Sequence, residues 1–369
     1  MAIESHVLKV LEVIEETADA RSVVFEVPDE LQEAFAYTPG QFLTVAVPSE
    51  QTGLAARCYS LSSSPHSGRH QITVKRTVDG YASNWICDNL KAGDTMRLLP
   101  PSGIFTPKDL DADLLLWGGG SGITPVISIA RTALEKGSGK VVLFYANRDQ
   151  DSVIFAAELR ELATAHPDRF TVVHWLESVQ GLPTGEGIKL FASYFASYTS
   201  FCCGPAPFMK AVATALKELE IPRERRHQEK FVSLGGNPFG DVEEVLAAQA
   251  VLDEVDDGDE EGDDAGAAPA AEPAFVGTVS LEVELDGSHY AFDDWDGSQV
   301  LLEYLEGKGV DAPFSCREGN CSSCACIVLE GEITMKHNEV LDAEDLAEGI
   351  RLTCQALPVS EVLKISYNG

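Results

Sequence analysis

The feature that most constrains this chain is a run of cysteines near its end. Cys316-x4-Cys321-x2-Cys324, with Cys354 further on, has the spacing that holds a [2Fe–2S] cluster. Such a cluster needs four thiolates converging on two irons. Three come here from one tight loop, Ser315-Cys316-Arg317-Glu318-Gly319-Asn320-Cys321-Ser322-Ser323-Cys324-Ala325. Gly319 lets the loop take a positive φ, and the small Ser and Ala side chains let backbone N–H groups approach the sulfurs. Those hydrogen bonds help set the reduction potential. Cys321-x2-Cys324 alone would also suit zinc, but a zinc site usually pairs two such knuckles and Cys354 stands alone. Cys326 lies two residues past the third ligand and is expected to be a buried non-ligand.

The other cysteines, Cys58, Cys87, Cys202 and Cys203, are scattered. The N-terminus, Met1-Ala2-Ile3-Glu4, has neither a basic start nor an apolar core, so no signal peptide is expected. No run of about 18 uncharged apolar residues predicts a membrane span. The expected compartment is the cytoplasm, where clustered cysteines serve metal or redox chemistry before disulfides.

At roughly 100–200 residues per domain, 369 residues predict two or three domains, each able to bury a core. Lys and Arg number 27 against 59 Asp and Glu, for a net charge of −32, which disfavours nucleic acid and anionic membranes as partners. Residues 241–275 hold 13 Asp and Glu and no Lys or Arg. Rich also in Ala, Gly and Pro, this stretch cannot bury enough apolar surface to offset its ordering entropy. It is expected to be an acidic flexible linker, with a short helix near Val242–Leu252.

Ahead of the linker two patterns follow each other. His6–Glu16, Arg21–Val27, Gln41–Val47, Ala56–Leu61, Gln71–Thr77 and Thr95–Leu99 alternate apolar and polar residues between turn residues. They predict a six-stranded antiparallel β-barrel over residues 1–108. Over 109–240, strands at Leu114–Trp117, Val141–Tyr145, Phe170–Leu176 and Thr199–Cys203 alternate with helices around Val126–Ala133, Ile154–Ala165 and Pro207–Leu219. That alternation predicts an α/β doubly wound parallel sheet. Beyond the linker, Thr278–Leu285 and His289–Phe292 read as a hairpin around Asp286-Gly287, and Ser298 is placed to cap a helix running to about Lys308.

Two turns in the second region are suited to a nucleotide. Leu115-Leu116-Trp117-Gly118-Gly119-Gly120-Ser121-Gly122-Ile123-Thr124-Pro125 runs from an apolar strand through glycines into a helix with Pro near its start. The glycines admit a pyrophosphate, and the helix N-terminus favours its charge. The Lys-Ser/Thr ending of a Walker loop is missing. Cys203-Gly204-Pro205-x-x-Phe208-Met209 is a second such turn, and two of them at strand ends of one sheet place a ligand in the crevice between. On the barrel, Arg57 suits a phosphate, Tyr59 a flat ring and Ser60 that ring's edge. Gly80-x-x-Ser83 is placed so that Ser83 caps a helix over 84–90.

In this order, R-x-Y-S, G-x-x-S, GGGSGITP and C-G-P-x-x-F-M resemble the ferredoxin–NADP reductase-like family, as do Pro39-Gly40-Gln41-Phe42 and Glu229-Lys230-Phe231. The resemblance covers nearly all of residues 1–240. Residues 276–369 resemble a plant-type β-grasp ferredoxin (α+β) over their whole length. The resemblance implies an FAD barrel, a domain for NADH (NADPH is the less favoured donor) and hydride transfer between them. By residue, it implies that Arg57, Tyr59, Ser60, Lys75, Gly80 and Ser83 hold FAD. Gly118, Gly119, Gly120, Ser121, Gly122, Thr124 and Pro125, with Cys203, Gly204 and Pro205, would hold the nicotinamide cofactor. Ser60, Cys203 and Glu229 would flank the nicotinamide–flavin contact as the catalytic set, and Phe231 would shield the flavin face.

A reductase followed by a C-terminal ferredoxin resembles the reductase components of Rieske oxygenases and of phenylacetyl-CoA epoxidase. Ala56–Leu61, Thr73–Trp85, Tyr145–Asp149, His174–Ser178 and Asp311–Gly319 resemble the actinobacterial reductases of 3-ketosteroid 9α-hydroxylase. This implies steroid or cholesterol breakdown and a separate Rieske-type oxygenase; from its charge, the acidic ferredoxin domain is where that oxygenase is expected to dock, and the reductase is expected to be monomeric on its own. It implies no general acid or nucleophile. The rivals are the reductase of a di-iron epoxidase and, from another class, a flavin/Fe–S redox sensor; a sensor would lack a nicotinamide site or add an output domain.

Overall fold

The computed structural model describes residues 5–49, 53–78, 80–231, 239, 277–285 and 287–367. The expected linker, 241–275, with its short helix, lies outside the described residues, as do Asp79 and Asp286 of two expected turns. The chain forms two compact units, one of residues 5–48 and 57–231, the other containing the described residues from 277 onward.

Six antiparallel strands come first, all but Ser49 and residues 53–56 within the larger unit: β1 (His6–Thr17), β2 (Ala20–Glu26), β3 (Phe42–Ser49), β4 (Gly53–Ser60), β5 (His70–Lys75) and β6 (Thr95–Leu98), in the order β4-β3-β6-β1-β2-β5. A bridge between Leu61 and Ile72, with Ser62 N–H donating to Gln71 O at 2.7 Å, closes the sheet on itself. Inward residues of the alternating pattern, among them Leu8, Val10, Val23, Phe25, Leu43, Val45 and Ile72, are fully buried. Each contributes roughly 1.5–3 kcal/mol. Helix α1 (Tyr81–Asn89) adds Ala82 and Ile86 to this core.

The helix corrects an expectation. It starts at Tyr81 with Gly80 as its N-cap, and Ser83 lies inside its first turn. The Ser83 hydroxyl instead accepts from Thr77 N–H at 3.1 Å, closing the turn that precedes the helix.

The same unit continues with five parallel strands, β7 (Leu114–Gly119), β8 (Val141–Asn147), β9 (Phe170–Leu176), β10 (Thr199–Cys203) and β11 (Arg226–Glu229), in the order β11-β10-β7-β8-β9. Helices α2 (Ile123–Lys136), α3 (Ala156–Ala165), α4 (Glu177–Gln180), α5 (Gly185–Ser193) and α6 (Ala206–Glu218) connect them. Central strands are buried on both faces. Leu114, Leu116, Leu143 and Tyr145 pack with α2 and α3 residues. Leu115, Trp117, Val142 and Phe144 pack with Ile188, Met209, Val212 and Leu216 of α5 and α6. Strand β11 is not predicted by the sequence, because Arg226-His227-Gln228-Glu229 is wholly polar; it is an edge strand, with only β10 as neighbour.

In the second unit the strands are β12 (Val279–Leu285), β13 (Ser288–Trp295), β14 (Ala325–Glu330), β15 (Ile333–Met335), β16 (Ile350–Leu352), β17 (Ala356–Pro358) and β18 (Val362–Ser366). Five of them form a mixed sheet, β13-β12-β18-β14-β16, in which β12 and β18 run parallel; β15 and β17 pair separately. Helices α7 (Leu301–Gly307) and α8 (Ala343–Ala347) complete the unit, and α7 buries Leu301, Leu302, Tyr304 and Leu305 against the sheet. Ser298 does not cap α7. Val300 precedes its first turn, and the Ser298 hydroxyl donates to Asp296 Oδ1 at 2.6 Å. The expected fold class holds in all three parts.

Candidate functional site

At the carboxyl edge of the parallel sheet, Tyr145, Gly118, Cys203 and Glu229 stand in register across β8, β7, β10 and β11. The two glycine turns meet there. A Cβ on Gly122 would lie 2.2 Å from the Cys203 carbonyl oxygen and 2.6 Å from Gly204 N, so only glycine lets the turns approach. Gly120–Gly122 form a 3-10 turn leading directly into α2, with Thr124 and Pro125 in that helix's first turn. Thr124 Oγ1 donates to Ser121 O at 3.1 Å, and the Tyr145 hydroxyl donates to Gly120 O at 3.2 Å. The first turn of α2 thus starts at the strand ends, where a helix N-terminus suits a pyrophosphate.

Asn147, at the end of β8, fits the same reading. Its side chain is buried, and although it stands near the Tyr145 hydroxyl, neither polar atom has a hydrogen bond of proper geometry. An unsatisfied buried amide costs about 1–3 kcal/mol, and the polar edge of a ligand would relieve it. Sequence reasoning did not single out this residue; the signal was an Asn closing the apolar run Val141–Ala146.

Burial pushes the Glu229 carboxyl up to about 8, which favours its protonated form. Burial, and then the Glu229 charge, raises the Cys203 thiol well above its usual range, so Cys203 stays neutral. Phe231 follows β11 and is 51% exposed.

On the barrel, Arg57 and Tyr59 alternate along β4 with Cys58 and Ser60, and Ser60 is buried at the strand end. Tyr59 lies against the barrel core, and its burial raises the phenol. Gly80 and Ser83 close one turn, where a Cβ on Gly80 would come within 2.9 Å of Ser83 Oγ. Lys75 Nζ lies 3.7 Å from Asp19 Oδ2, so the structure directs it to the β1–β2 turn.

In the second unit, Cys316, Cys321, Cys324 and Cys354 are all buried, at 3%, 8%, 2% and 3% exposure. Among the described residues no three Cys, His, Asp or Glu converge on a single metal-ion position. The thiols are instead linked pairwise, Cys316 to Cys321 and Cys354, and Cys354 to Cys324. Backbone N–H groups point at the sulfurs: Glu318 and Asn320 donate to Cys316 Sγ at 3.4 and 3.3 Å, and Cys316 donates to Cys321 Sγ at 3.3 Å. Contacts from Cys321 and Cys354, with those amides, hold the Cys316 thiol well below its ordinary range. This donor set fits a [2Fe–2S] cluster.

The loop bends more than one glycine allows. Gly319 has φ +77°, and a Cβ there would come 2.8 Å from His337 O, but Arg317 (+61°) and Ser322 (+54°) are also left-handed. Arg317 holds its conformation through a nearly buried ion pair to Glu306 of α7 (Nη1–Oε2 2.9 Å), with its guanidinium 3.8 Å above the Phe314 ring. Cys326 lies in the sheet core, where burial keeps its thiol protonated.

Three domain families match the chain: an oxidoreductase FAD-binding domain over residues 7–106, an oxidoreductase NAD-binding domain over 116–214, and a 2Fe-2S iron-sulfur cluster binding domain over 283–359. The 3-ketosteroid-9-alpha-monooxygenase ferredoxin reductase component of Rhodococcus rhodochrous is 54% identical, the alignment covering 98% of this chain and 97% of the relative. One component of the 1,2-phenylacetyl-CoA epoxidase of Escherichia coli is 29% identical over 98% of each chain. Among solved structures, phthalate dioxygenase reductase shares the fold with a TM-score of 0.54 and 22% identity, covering 98% of both chains.

Proposed function

This chain belongs to the family of ferredoxin reductase components of 3-ketosteroid-9-alpha-monooxygenases, and from that premise we propose that it passes electrons from NADH, through FAD and one [2Fe–2S] cluster, to a separate Rieske-type oxygenase acting on a 3-ketosteroid. The family makes it an electron-transfer reductase of an oxygenase system, with FAD-binding, NAD-binding and 2Fe-2S domains. The observation that carries the steroid reading is the 54% identity over nearly the whole of both chains, against 29% for the epoxidase relative.

Bound FAD would supply hydride acceptance and one-electron donation, so the cofactors would carry the chemistry and the chain would position them. Arg57 and the Gly80–Ser83 turn would hold the flavin phosphates, and Tyr59 and Ser60 its ring. Lys75 would reach the flavin only on leaving Asp19. The Gly118–Pro125 and Cys203–Pro205 turns would hold the dinucleotide, and Cys203 and Glu229, both uncharged at neutral pH, would leave the nicotinamide contact free of fixed charge. Phe231 would cover the flavin face. Cys316, Cys321, Cys324 and Cys354 would ligate the cluster. The NADH preference is supported by Arg148. It follows β8, where a 2′-phosphate could lie, but its guanidinium is engaged by Asp149 Oδ2 and Ser152 Oγ, each at 3.0 Å.

The test is reconstitution. Purified protein, a 3-ketosteroid and a candidate Rieske oxygenase should consume oxygen and NADH together and yield hydroxylated steroid. Turnover only with a di-iron epoxidase and a CoA thioester would replace this reading.

A further inference from the structure

We propose that Arg131 is a positioning residue that ties the nicotinamide-side helix to the flavin-side strand and so sets the separation over which hydride passes; the inference rests on the functional reading above. Helix α2 starts at the Gly118–Gly122 turn. One face of it, Ser128, Arg131 and Glu135, meets the three consecutive residues Ser62, Ser63 and Ser64, which begin two positions after Ser60. Ser128 Oγ donates to Ser63 O at 2.6 Å, Arg131 Nη1 donates to Ser62 O, and Ser64 Oγ donates to Glu135 Oε2 at 3.0 Å.

Arg131 joins more elements than the other two. Its side chain is 14% exposed and forms a two-point ion pair with Glu158 of α3, with Nε 2.6 Å from Oε1. Its guanidinium lies 5.0 Å from the centre of the Phe155 ring. Phe155 caps α3 in the left-handed conformation, φ +63°, which a bulky residue adopts only when its surroundings compel it. The fork therefore grips a backbone carbonyl after β4, a carboxylate on α3 and an aromatic face at once, geometry that a lysine ammonium cannot reproduce. Desolvating such a group is costly unless every donor is used. Its use here fixes two segments that each lead directly to a proposed cofactor contact. Misplacement by about 1 Å of reacting groups can cost on the order of a hundredfold in rate.

Full-length holoprotein carrying Arg131→Met, Arg131→Lys or the milder Ser128→Ala tests the proposal. Stopped-flow flavin reduction by NADH should slow roughly 10- to 100-fold in Arg131→Met, less in Arg131→Lys, and about 3-fold in Ser128→Ala. Bound FAD content and the Kd for NAD+ should stay at wild-type levels. Amide hydrogen exchange should rise in peptides covering 60–66 and 123–136 but not in the barrel core. Unchanged reduction rates in all three variants would overturn the inference, as would slowing that tracks loss of FAD. A wild-type protein whose flavin NADH fails to reduce would overturn the functional reading as well, so the two failures are distinguishable.

Discussion

Cys203 and Glu229 stand opposite each other on neighbouring parallel strands, at the edge where the two glycine turns meet. Burial holds each of them uncharged, and a charge on Glu229 would raise the cost of ionising Cys203 further. The pair follows from strand register, since 26 positions separate the residues in the chain.

The pair makes stability fall with alkali. Glu229 has an ordinary value of 4.5 when exposed and about 8 when folded, so its contribution is complete below about pH 4.5 and is lost as pH rises to about 8. Glu229→Gln removes that loss. Thermal unfolding across this range should show a flatter profile in the variant, which gains at most about 4 kcal/mol over wild type at pH 8. Parallel profiles would place Glu229 in water.

At the turn, Gly122→Ala puts a methyl 2.2 Å from a backbone oxygen that cannot swing aside. The start of α2 must shift, and the KM for NADH should rise tenfold or more, equivalent to about 1.4 kcal/mol. FAD content, measured by its absorption after denaturation, should not change.

Cluster ligation is checked by absorption and EPR. Alanine at Cys316, Cys321, Cys324 or Cys354 should abolish the [2Fe–2S] signals while leaving NADH-to-dye reduction intact. Cys326→Ala should keep the cluster, because that thiol lies in the sheet core. An indispensable Cys326 with a dispensable Cys324 would reverse the assignment.

Partner docking is predicted to depend on salt. Residues 276–369 hold 18 Asp and Glu against 5 Lys and Arg. Glu330, by sequence near the cysteine loop, ends β14 roughly 16 Å along the strand from Ala325 and leaves the rim. Glu318 and Glu339 remain, the latter bonded to the loop through Gly319 O. Electron delivery to the oxygenase should slow as salt rises, with screening over about 8 Å at physiological strength, while dye reduction changes little. Glu339→Lys should reproduce the slowing at low salt. A stopped-flow series that is flat in salt would assign docking to apolar contacts.

Much of the fold was legible in the chain. Strands β9 and β10 occupy the ranges their apolar runs predicted, because a run bounded by polar breaks has one way to be buried in a parallel sheet. The cysteine spacing alone singled out Cys316, Cys321, Cys324 and Cys354, and all four are buried in the second unit. Local capping was less legible. Ser83 and Ser298 hold capping residue types, but their hydroxyls bond outside the expected caps, to Thr77 and Asp296. Tertiary structure alone decided the rest. Strand β11 carries no apolar pattern and exists because β10 offers an open edge. Arg131 reads as one charge on an amphipathic helix until folding sets it against Ser62, 69 residues away, and Glu158 on the next helix. Periodicity and spacing are written in short stretches of chain, whereas a buried charge finds its partners only after distant segments pack and exclude the water that would otherwise have solvated it.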